Sequence, residues 1–423
     1  MGYTSIKAFI RKHLGEAALQ KARRIKYFPM NLFCGFFPTT DAIVLESNPD
    51  LACNTFAVYR VMLSHGMNET YKLIWRVHNP ESYGDYHVKN VEFIDKSPKG
   101  RKARIKNYRI CNRAIASISC NQPLPNYMVN RKQINIYLDH GSPLKDITHR
   151  GHKIDISCDY LLSQAPFFDE PNLYQYNVKA EQLLHLGIPR NDQLFQNYDS
   201  LQNVIPELCR FQKIIIWVPT FRVAESGKRC DSHFDFPLGI PVIYSVDQLR
   251  HVNSFLQDRN TLLLIKPHPA QDINRLRLIQ LSNIYLLNND RMLSSQIQTN
   301  ELLAQTDAMI TDYSGIYYDY LLLDKPIGIT LDDFDEYKKT TGFVFENPLD
   351  VLVGEYIHSV EDLETFIDHV YQNVDLTMEE RKKIKERTNQ FCDAKSSERV
   401  YNFIVSQIGK GRKGPFAGRQ PRK

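Results

Sequence analysis

The run KIIIWVPTFR at residues 213–222 decides the fold, because an alternation of strands and helices starts there for the second time. Its apolar part, IIIWV, is typical of a strand buried on both faces in a parallel sheet. Further strand-like runs follow it at TLLLIKP (261–267), NIYLL (283–287), DAMIT (307–311) and KPIGIT (325–330). The segments SVDQLRHVNSFLQD and NELLAQT between them predict helices, so this half is a parallel α/β unit.

The same alternation occupies the chain upstream of that run. Predicted strands are AIVLES (42–47), YKLIWRV (71–77), RAIASISC (113–120), INIYL (134–138) and DYLLSQ (159–164), and NTFAVYRVMLSHG and GRKARIKNYRICN predict helices. The sequence therefore predicts an α/β fold of two Rossmann-like domains whose parallel sheets face each other across a cleft, with a C-terminal helical region. We place the first domain at residues 1–205, the second with its closing helices at 206–408, and a basic tail at 409–423.

Charge is unevenly distributed along the 423 residues. Residues 1–26 carry seven Lys or Arg against one acid, and residues 410–423 carry six and no acid. The rest of the chain is acidic on balance, since the net charge is only +5. Basic ends indicate either an anionic surface such as the inner face of a membrane or two solvated tails. The acidic body argues against a nucleic-acid partner.

The first segment places Ile6, Phe9, Ile10 and Leu14 on one helical stripe among basic residues. This pattern is typical of an interfacial amphipathic helix and equally of a surface helix packed on its own domain. We expect no signal peptide, and no run approaches the ~20 apolar residues of a membrane span. Eight cysteines without a C-x-x-C pair indicate reduced thiols. These features predict a cytoplasmic protein that is peripheral at the cytoplasmic face of the membrane.

Polar residues follow three predicted strands of the second half, where parallel sheets bind ligands. Arg222 follows KIIIWVP, His268 follows TLLLIKP, and Ser314 and Gly315 follow DAMIT at the start of a helix. An Arg fork, a helix start with free N–H groups and a glycine that permits close approach each suit a phosphate. Taken singly, each has a structural explanation, such as an N-cap for Ser314. Together they predict a site for a phosphate-bearing ligand.

His140 follows the last long strand of the first half, in LDHGSPLK (138–145). If the two halves face each other, its imidazole points at the phosphate site, and its pKa suits proton transfer near neutrality. The alternative is a histidine bonded within its turn. Asp139 serves either hypothesis, because it can orient the ring or simply hold the turn.

No cofactor is predicted from the motifs. GKGRKG (409–414) follows no strand and opens no helix, so it is not a dinucleotide site. DDFDEY (332–337) contains a D-x-D pattern that suits either a metal or a solvated acidic loop. A divalent cation such as Mg²⁺ therefore stays open, and no metal ligand is assigned.

Several of these segments resemble, in order and spacing, the CDP-glycerol glycerophosphotransferase family, the primases and polymerases of teichoic acid and related capsule polymers. They include LDHGSPLK, LGIPRND, VPTFR, LIKPHP, ELLAQTDAMITDYSGIYYDYLLLDKPI and DDFDEY, and IVLESNPDLACNTFAVYRVML followed by YKLIWRV is similar to the start of the family's sequences. The resemblance runs from about residue 41 to about residue 370. It implies a GT-B-type fold and a donor such as CDP-glycerol or CDP-ribitol bound mainly by the second half.

The resemblance also implies roles for particular residues. The family's H-G-T/S-P-x-K motif gives a catalytic His140 with Gly141, and its second histidine gives His268. Asp139 stands where an aromatic residue is usual, and Gly315 where a second serine is usual. The implied donor-binding residues are Arg222, Thr311, Asp312, Ser314, Gly315 and Asp319, and the implied supporting residues are Asp139, Gly141, Arg190, Asn191 and Asp192.

The implied reaction moves a polyol phosphate from a CDP-polyol to a hydroxyl of a lipid-linked or polymeric glycan acceptor, with release of CMP. Two alternatives stay open on the sequence. One is a GT-B glycosyltransferase that uses a nucleotide sugar, because one fold hosts many functions. The other is a non-catalytic protein that binds polymer or membrane.

Overall fold

The computed structural model describes residues 25–121, 124–125, 128–130, 132–148, 153–156, 158–222, 232–234, 236–268, 271, 276, 278–279, 281–287, 292 and 297–409. The predicted N-terminal amphipathic stripe and the basic tail beyond residue 409 lie outside these ranges.

The first domain is built on a seven-stranded parallel sheet in the order β3-β2-β1-β4-β5-β6-β7. Its strands are β1 (Thr40–Glu46), β2 (Lys72–Val77), β3 (Val91–Asp95), β4 (Ala114–Ser119), β5 (Ile134–Tyr137), β6 (Tyr160–Leu162) and β7 (Leu183–Leu184). In register, Val44 of β1 lies opposite Ile74 of β2 and Ser117 of β4. The strand order reverses direction between β1 and β4, which is where open α/β sheets bind ligands.

Helices cover both faces of this sheet because each has an apolar side to bury. The helix Cys53–Ser64 buries Val58, Tyr59 and Met62 against the sheet. The first domain also contains helices at 25–35, Met67–Thr70, Arg101–Arg113 and Asp169–Gln175, and 3₁₀ turns at Pro80–Tyr83, Pro166–Phe168, Ala180–Gln182 and Pro189–Phe195.

The second domain repeats the plan with six parallel strands in the order β10-β9-β8-β11-β12-β13. Its strands are β8 (Lys213–Val218), β9 (Thr261–Ile265), β10 (Ile284–Leu286), β11 (Ala308–Thr311), β12 (Ile327–Thr330) and β13 (Glu355–Ile357). The direction reverses between β8 and β11. The loops after these two strands therefore flank the ligand-binding edge of this sheet.

The described helices of the second domain begin with Val246–Asp258, which a capping box starts. Ser245 accepts a hydrogen bond from the Gln248 N–H at 3.1 Å, and Gln248 accepts one in return. The other helices and 3₁₀ turns from residue 200 onward are Ser200–Val204, Pro206–Arg210, Thr299–Ala304, Ile316–Tyr320, Leu321–Leu323, Phe334–Thr340, Pro348–Asp350, Val360–Gln372, Met378–Thr388 and Ser396–Gly409.

The two domains share one apolar core. Leu144, Phe168 and Leu194 of the first domain pack in the same buried cluster as Ile216 and Tyr318 of the second. Such a cluster resists solvent entry, so the domains are packed together beneath the cleft rather than merely tethered.

The last helix, Ser396–Gly409, returns to the first domain. Its Val400, Ile404 and Ile408 are buried in the core of the first sheet. The sequence analysis had grouped these closing residues with the second domain, because chain order alone does not reveal which core an amphipathic helix meets. The division of the chain at residues 205 and 206 stays a prediction.

The predicted fold class is confirmed, and the strand predictions fail only at three short strands. The strands β3, β7 and β13 were not predicted. They lie at or near the sheet edges and are only partly buried, so their side chains lack the continuous apolar run of a central strand.

Candidate active site

His140 stands on a strained turn just after β5. Asp139 adopts a left-handed backbone conformation with φ of +50°, which is uncommon for a non-glycine residue and typical of functional sites. The Asp139 carboxylate lies 3.0 Å from His140 Nδ1, and its other oxygen accepts a hydrogen bond from the Tyr176 hydroxyl at 3.0 Å. Because Asp139 engages Nδ1, Nε2 is the ring nitrogen that can accept a substrate proton.

The His140 imidazole is accessible to solvent, and it is protonated more readily than an ordinary histidine. Its side chain is 55% exposed, whereas that of Asp139 is 10% exposed. The surrounding protein lowers the pKa of His140, but the hydrogen bond and charge of Asp139 outweigh this and leave the pKa above its ordinary value. Asp139 therefore makes His140 more basic than an unperturbed imidazole.

Asn54 holds this turn in place, and the sequence analysis missed it. Its side-chain NH₂ donates to the carbonyl oxygens of Leu138 at 3.1 Å and Asp139 at 2.9 Å, and its oxygen accepts from the Arg190 N–H at 3.1 Å. The residue is completely buried. Only the fold brings these segments together, because Asn54 is 84 residues from Leu138 in the chain.

Arg190 connects the His140 turn to the second domain. Its guanidinium donates to the His140 carbonyl oxygen, to Cys53 Sγ at 3.2 Å and to the Asp319 carboxylate at 2.9 Å. Burial lowers the pKa of Arg190, but the charges of Asp319 and Cys53 outweigh this and leave the pKa above its ordinary value, so the group stays protonated. A single cation thus joins three elements around the cleft.

The two residues after Arg190, Asn191 and Asp192, also form hydrogen bonds with distant segments of the chain. Asn191 accepts a hydrogen bond from Asn300 at 2.9 Å, and Asp192 accepts from the backbone N–H groups of Ser396 at 2.8 Å and Ser397 at 2.7 Å. Asp192 therefore caps the start of the last helix. The Asn191 contact therefore joins the two domains, and the Asp192 contacts fix the last helix against the first domain.

The loops after β5 and β11 meet directly. A Cβ atom added to Gly315 would lie 2.8 Å from the Ser142 backbone oxygen, closer than such atoms approach in proteins. Just beyond, the Val344 N–H donates to the Leu144 oxygen at 3.0 Å, and Lys145 pairs with Phe343 in an antiparallel bridge. The His140 loop and the Ser314–Gly315 loop therefore border one cleft.

The Arg222 guanidinium is buried and paired with carboxylates. This corrects the expectation that it is free to bind a phosphate. It bonds Asp333 in bidentate fashion at 2.7 and 2.9 Å, and it also bonds Asp312 at 2.8 Å. Arg222 is 7% exposed, and Asp312 is fully buried. The sequence suggested either a metal or a solvated loop for DDFDEY, whereas Asp333 is a buried counter-ion. One cation thus pairs with two buried carboxylates, and this network shapes the loops.

Thr311 and Asp319 are likewise fully buried. Thr311 donates to the Val218 oxygen across the sheet at 3.1 Å. Ser314 and Gly315 remain partly exposed at the cleft. The helix that they open, Ile316–Tyr320, is only five residues long, so its dipole is weaker than expected from the sequence.

His268 is exposed at the end of β9, and its ring lies 4.8 Å from that of Phe221 between centroids. It therefore borders the loop after β8, as expected from the shared sheet edge. Two residues earlier, Lys266 is 5% exposed, and burial lowers its pKa to about 8. Sequence reasoning missed Lys266, although a lysine at the end of a buried strand was a visible signal.

The face of the sheet to which Lys266 belongs follows from strand alternation. Leu262 and Leu264 pack in the core between the domains, whereas Leu263 and Ile265 pack on the opposite face. Lys266 continues the series of Leu262 and Leu264. Its register therefore assigns it to the interdomain face at the ligand-binding edge.

Among the described residues, no group of three or more His, Cys, Asp or Glu side chains is arranged to hold a metal ion. In the same part of the chain, no helix is both long and apolar enough to cross a membrane.

Residues 29–406 match the family model for CDP-Glycerol:Poly(glycerophosphate) glycerophosphotransferase. The chain belongs to this family. Its relatives include the teichoic acid ribitol-phosphate polymerase TarK of Staphylococcus aureus, 26% identical over 62% of this chain and 47% of the relative. Another is the teichoic acid glycerol-phosphate primase of Bacillus subtilis, 26% identical over 63% of this chain and 64% of the relative. This chain thus spans about half to two thirds of the length of these curated relatives.

Solved structures confirm the GT-B-like fold. The wall teichoic acid polymerase TagF superimposes with a TM-score of 0.67 at 21% identity, covering 97% of this chain and 99% of that one. A UDP complex of Staphylococcus aureus MnaA gives a TM-score of 0.52 at 12% identity, covering 87% and 97%. At such identities the likeness extends to the fold and not to the ligand. The catalytic and binding roles of individual residues stay predictions.

Proposed function

We propose that the protein transfers glycerol phosphate or ribitol phosphate from a CDP-polyol to a hydroxyl of a glycan or polymer acceptor, with release of CMP. The observation that carries this proposal is the Asp139–His140 pair on a loop whose Ser142 backbone directly contacts the Gly315 loop of the second domain. Family membership supports the donor class, since relatives are named as glycerol-phosphate and ribitol-phosphate primases and polymerases.

In the proposed reaction, His140 Nε2 removes the proton of the acceptor hydroxyl as its oxygen attacks the phosphorus that carries the polyol. The bond from this phosphorus to the CMP oxygen breaks, and CMP leaves with the electron pair. Asp139 stabilises the imidazolium that forms. Positioning and charge stabilisation dominate such phosphoryl transfers, so the surrounding cations matter as much as the base.

The donor diphosphate would lie at the edge where β8, β9 and β11 end. His268 and the backbone of Ser314 and Gly315 are the accessible groups there. Lys266 adds a positive charge below its pKa of about 8. Arg222, Asp312 and Asp333 act as a rigid buried frame for these loops rather than as ligands.

The central test measures CMP release from CDP-glycerol and CDP-ribitol with candidate acceptors. We expect His140→Ala to lower turnover by about 10²–10⁴-fold, the usual contribution of a general base. His65→Ala is the matched control, because His65 pairs with Glu398 on the surface and stacks on Tyr401. Near-normal turnover in a folded His140→Ala protein would contradict the base assignment. UDP release from a UDP-sugar would favour a glycosyltransferase. Absence of turnover with every donor would favour a non-catalytic binding protein.

We further infer that the acceptor is met at an anionic membrane surface on the cytoplasmic side. The helix at 25–35 and the residues just after it expose apolar side chains to solvent, namely Ile25, Phe28, Leu32, Phe33, Phe36 and Phe37. It packs beside the basic helix Arg101–Arg113, where Tyr27 stacks on Tyr108 at 5.1 Å. Exposed aromatic residues beside cations are typical of interfacial helices.

A cavity of about 710 Å³ lies beside that basic helix, at the amino ends of β1, β2 and β3. Its lining includes Lys102, Lys106, Arg109 and Arg113 around an apolar floor with Ile74. Each cation near an anionic leaflet adds attraction of ~1 kcal/mol. The cavity is at the opposite sheet edge from His140, so lipid contact there is separable from catalysis.

Sedimentation with vesicles tests this inference. We expect binding to phosphatidylglycerol vesicles that falls steeply with salt, and weaker binding by a Phe28→Ser/Phe33→Ser/Phe36→Ser variant that retains turnover on a soluble acceptor. Leu376→Ser is the control, since Leu376 is 62% exposed in the second domain. Equal binding by the triple variant, or binding indifferent to salt, would contradict the proposed surface.

A further inference from the structure

Two cysteines occupy the point where the first sheet reverses direction, next to the His140 turn. Cys53 begins the helix Cys53–Ser64 after β1, and Cys120 directly follows β4. Cys53 is partly exposed, and its φ of +61° is a strained left-handed conformation. Cys120 is completely buried. The proposed reaction uses neither thiol.

The surroundings of Cys53 stabilise a thiolate. Arg190 Nη1 lies 3.2 Å from its sulfur. Cys53 packs against the apolar cluster that contains buried Cys120. The neighbouring Cys120 thiol lowers the pKa of Cys53 most, burial raises it, and the charge of Arg190 lowers it again, to about 5. An unperturbed thiol has a pKa of about 8.5. Cys53 is therefore ionised at neutral pH, while Cys120, buried and next to that charge, keeps its proton.

Other described cysteines lack these features. Burial raises the pKa of Cys111 to about 11 and also raises that of Cys158. Cys392 is exposed, and its pKa is raised as well. Thiolate character and access together set thiol reactivity, so Cys53 is distinguished from these three.

The same contacts couple Cys53 to the candidate base. Arg190, which donates to the Cys53 sulfur, also donates to the His140 carbonyl oxygen. The next residue, Asn54, holds the backbone oxygens of Leu138 and Asp139. Any displacement at the start of this helix is thus transmitted to the turn that presents His140.

We propose that Cys53 and Cys120 form a peroxide-oxidisable thiol pair whose disulfide disorganises the His140 turn. The Cys53 thiolate attacks one peroxide oxygen, the O–O bond breaks, and the leaving hydroxide takes a proton to become water. Cys53 is then a sulfenic acid. The Cys120 sulfur attacks the Cys53 sulfur, the S–O bond breaks, and the departing hydroxide takes the Cys120 proton. One peroxide is reduced to two waters as two thiols become a disulfide.

The disulfide changes charge and position at once. Arg190 loses its thiolate partner, because a disulfide sulfur carries no charge. The new bond also draws Cys53 towards Cys120, and Asn54 moves with it. Misplacement of a catalytic group by about 1 Å costs on the order of a hundredfold in rate, so we expect a loss of that size on oxidation.

The experiment treats the full chain with hydrogen peroxide, blocks remaining thiols with N-ethylmaleimide and maps the peptides by mass spectrometry. We expect a Cys53–Cys120 linked peptide that dithiothreitol removes, and a change in the NMR titration of the His140 ring. These two measurements do not depend on the proposed function. CMP release, which does rest on that function, should fall with oxidation and return on reduction.

Two variants separate the possible results. Cys120→Ala should form Cys53 sulfenic acid without a linked peptide, and Cys392→Ser is the control for an exposed thiol. In the untreated chain, Cys53 alkylation should level off above its pKa of about 5. No linked peptide, or over-oxidised Cys53 alone, would overturn the thiol pair. A linked peptide with unchanged His140 titration and CMP release would overturn its coupling to the turn.

Discussion

At the scale of single residues, the proposed site depends on two side chains whose protonation the protein has altered. His140 gains basicity from Asp139, and Lys266 loses it through burial. The first could be anticipated, because the two residues adjoin in the sequence. The second could not, since the burial of a strand-end lysine depends on the tertiary packing around it.

Replacing Asp139 by asparagine should shift the pH dependence of turnover to lower pH. The base must be neutral to accept a proton, so the rate rises as pH passes through the pKa of His140. Asp139 raises that pKa, and without its charge the lowering by the surrounding protein is opposed only by the weaker effect of Cys53. The maximal rate should also fall, because the ring loses its orienting contact. A pH profile of kcat/KM measures both effects. An unchanged profile would show that the group whose titration controls the rate is not His140.

Replacing Lys266 by methionine should stabilise the protein while weakening donor binding. Burial of the ammonium moves its pKa from 10.5 to about 8. That shift corresponds to a cost of about 3 kcal/mol for keeping the lysine charged in the folded state. The gain should be full below pH 8 and shrink towards pH 10.5, where the unfolded lysine also loses its proton. Urea unfolding at several pH values and the KM for CDP-polyol measure the two effects; a less stable variant would contradict this account.

At the scale of elements, the decisive contact is between loops rather than between helices. The segment after β11 approaches the segment after β5 so closely that position 315 has no room for a Cβ atom. From the sequence, Gly315 is a residue that permits close approach of a phosphate at a position where a second serine is usual. The structure adds the reason for glycine, which is the Ser142 backbone on the other side of the cleft.

Gly315→Ser restores the residue usual in the family and should nevertheless impair this protein. The added Cβ would meet the Ser142 oxygen at 2.8 Å, so the loops must move apart. Overpacking of this kind costs about 1–3 kcal/mol, and turnover should drop about tenfold or more. Gly84→Ser is the control, because a Cβ there meets its nearest atom at 3.5 Å. Thermal unfolding would measure the loss of stability, and CMP release would measure the loss of turnover. A fully stable and active Gly315→Ser protein would contradict the steric conflict between these loops.

At the scale of the whole molecule, buried ion pairs and a shared apolar core hold the two domains together. Arg190 and Asp319 pair across the cleft at 2.6 Å, with side chains 12% and 1% exposed. The Asp319 oxygen Oδ1 has no hydrogen-bond partner among the described residues. The Asp319 carboxylate is buried and Arg190 is its paired cation. Loss of Arg190 would therefore leave an uncompensated buried charge and destabilise the contact between the domains.

Arg190→Met should therefore destabilise the protein by about 3–5 kcal/mol, because it leaves Asp319 buried and unpaired. Adding Asp319→Leu should recover part of this loss, since the unpaired charge is removed as well. Lys385→Met tests an exposed pair, as Asp324 is 45% exposed, and should change stability by about 1 kcal/mol or less. Urea unfolding measures all four proteins, and equal effects of Arg190→Met and Lys385→Met would contradict a buried joint.

The sequence by itself determined the two parallel sheets, their order along the chain, and the strand ends after which His140, His268 and Ser314 stand. These follow from local periodicity, because a buried strand needs a run of apolar residues wherever the rest of the chain goes. Only the tertiary structure decided that Arg222 bonds Asp333 and Asp312, that Gly315 touches Ser142, and that Cys53 bonds Arg190 and packs against the cluster containing Cys120. It also decided that the last helix returns to the first domain. Each of those depends on which distant surfaces meet, and a charge or thiol takes whatever partner the packing of the two domains brings within reach.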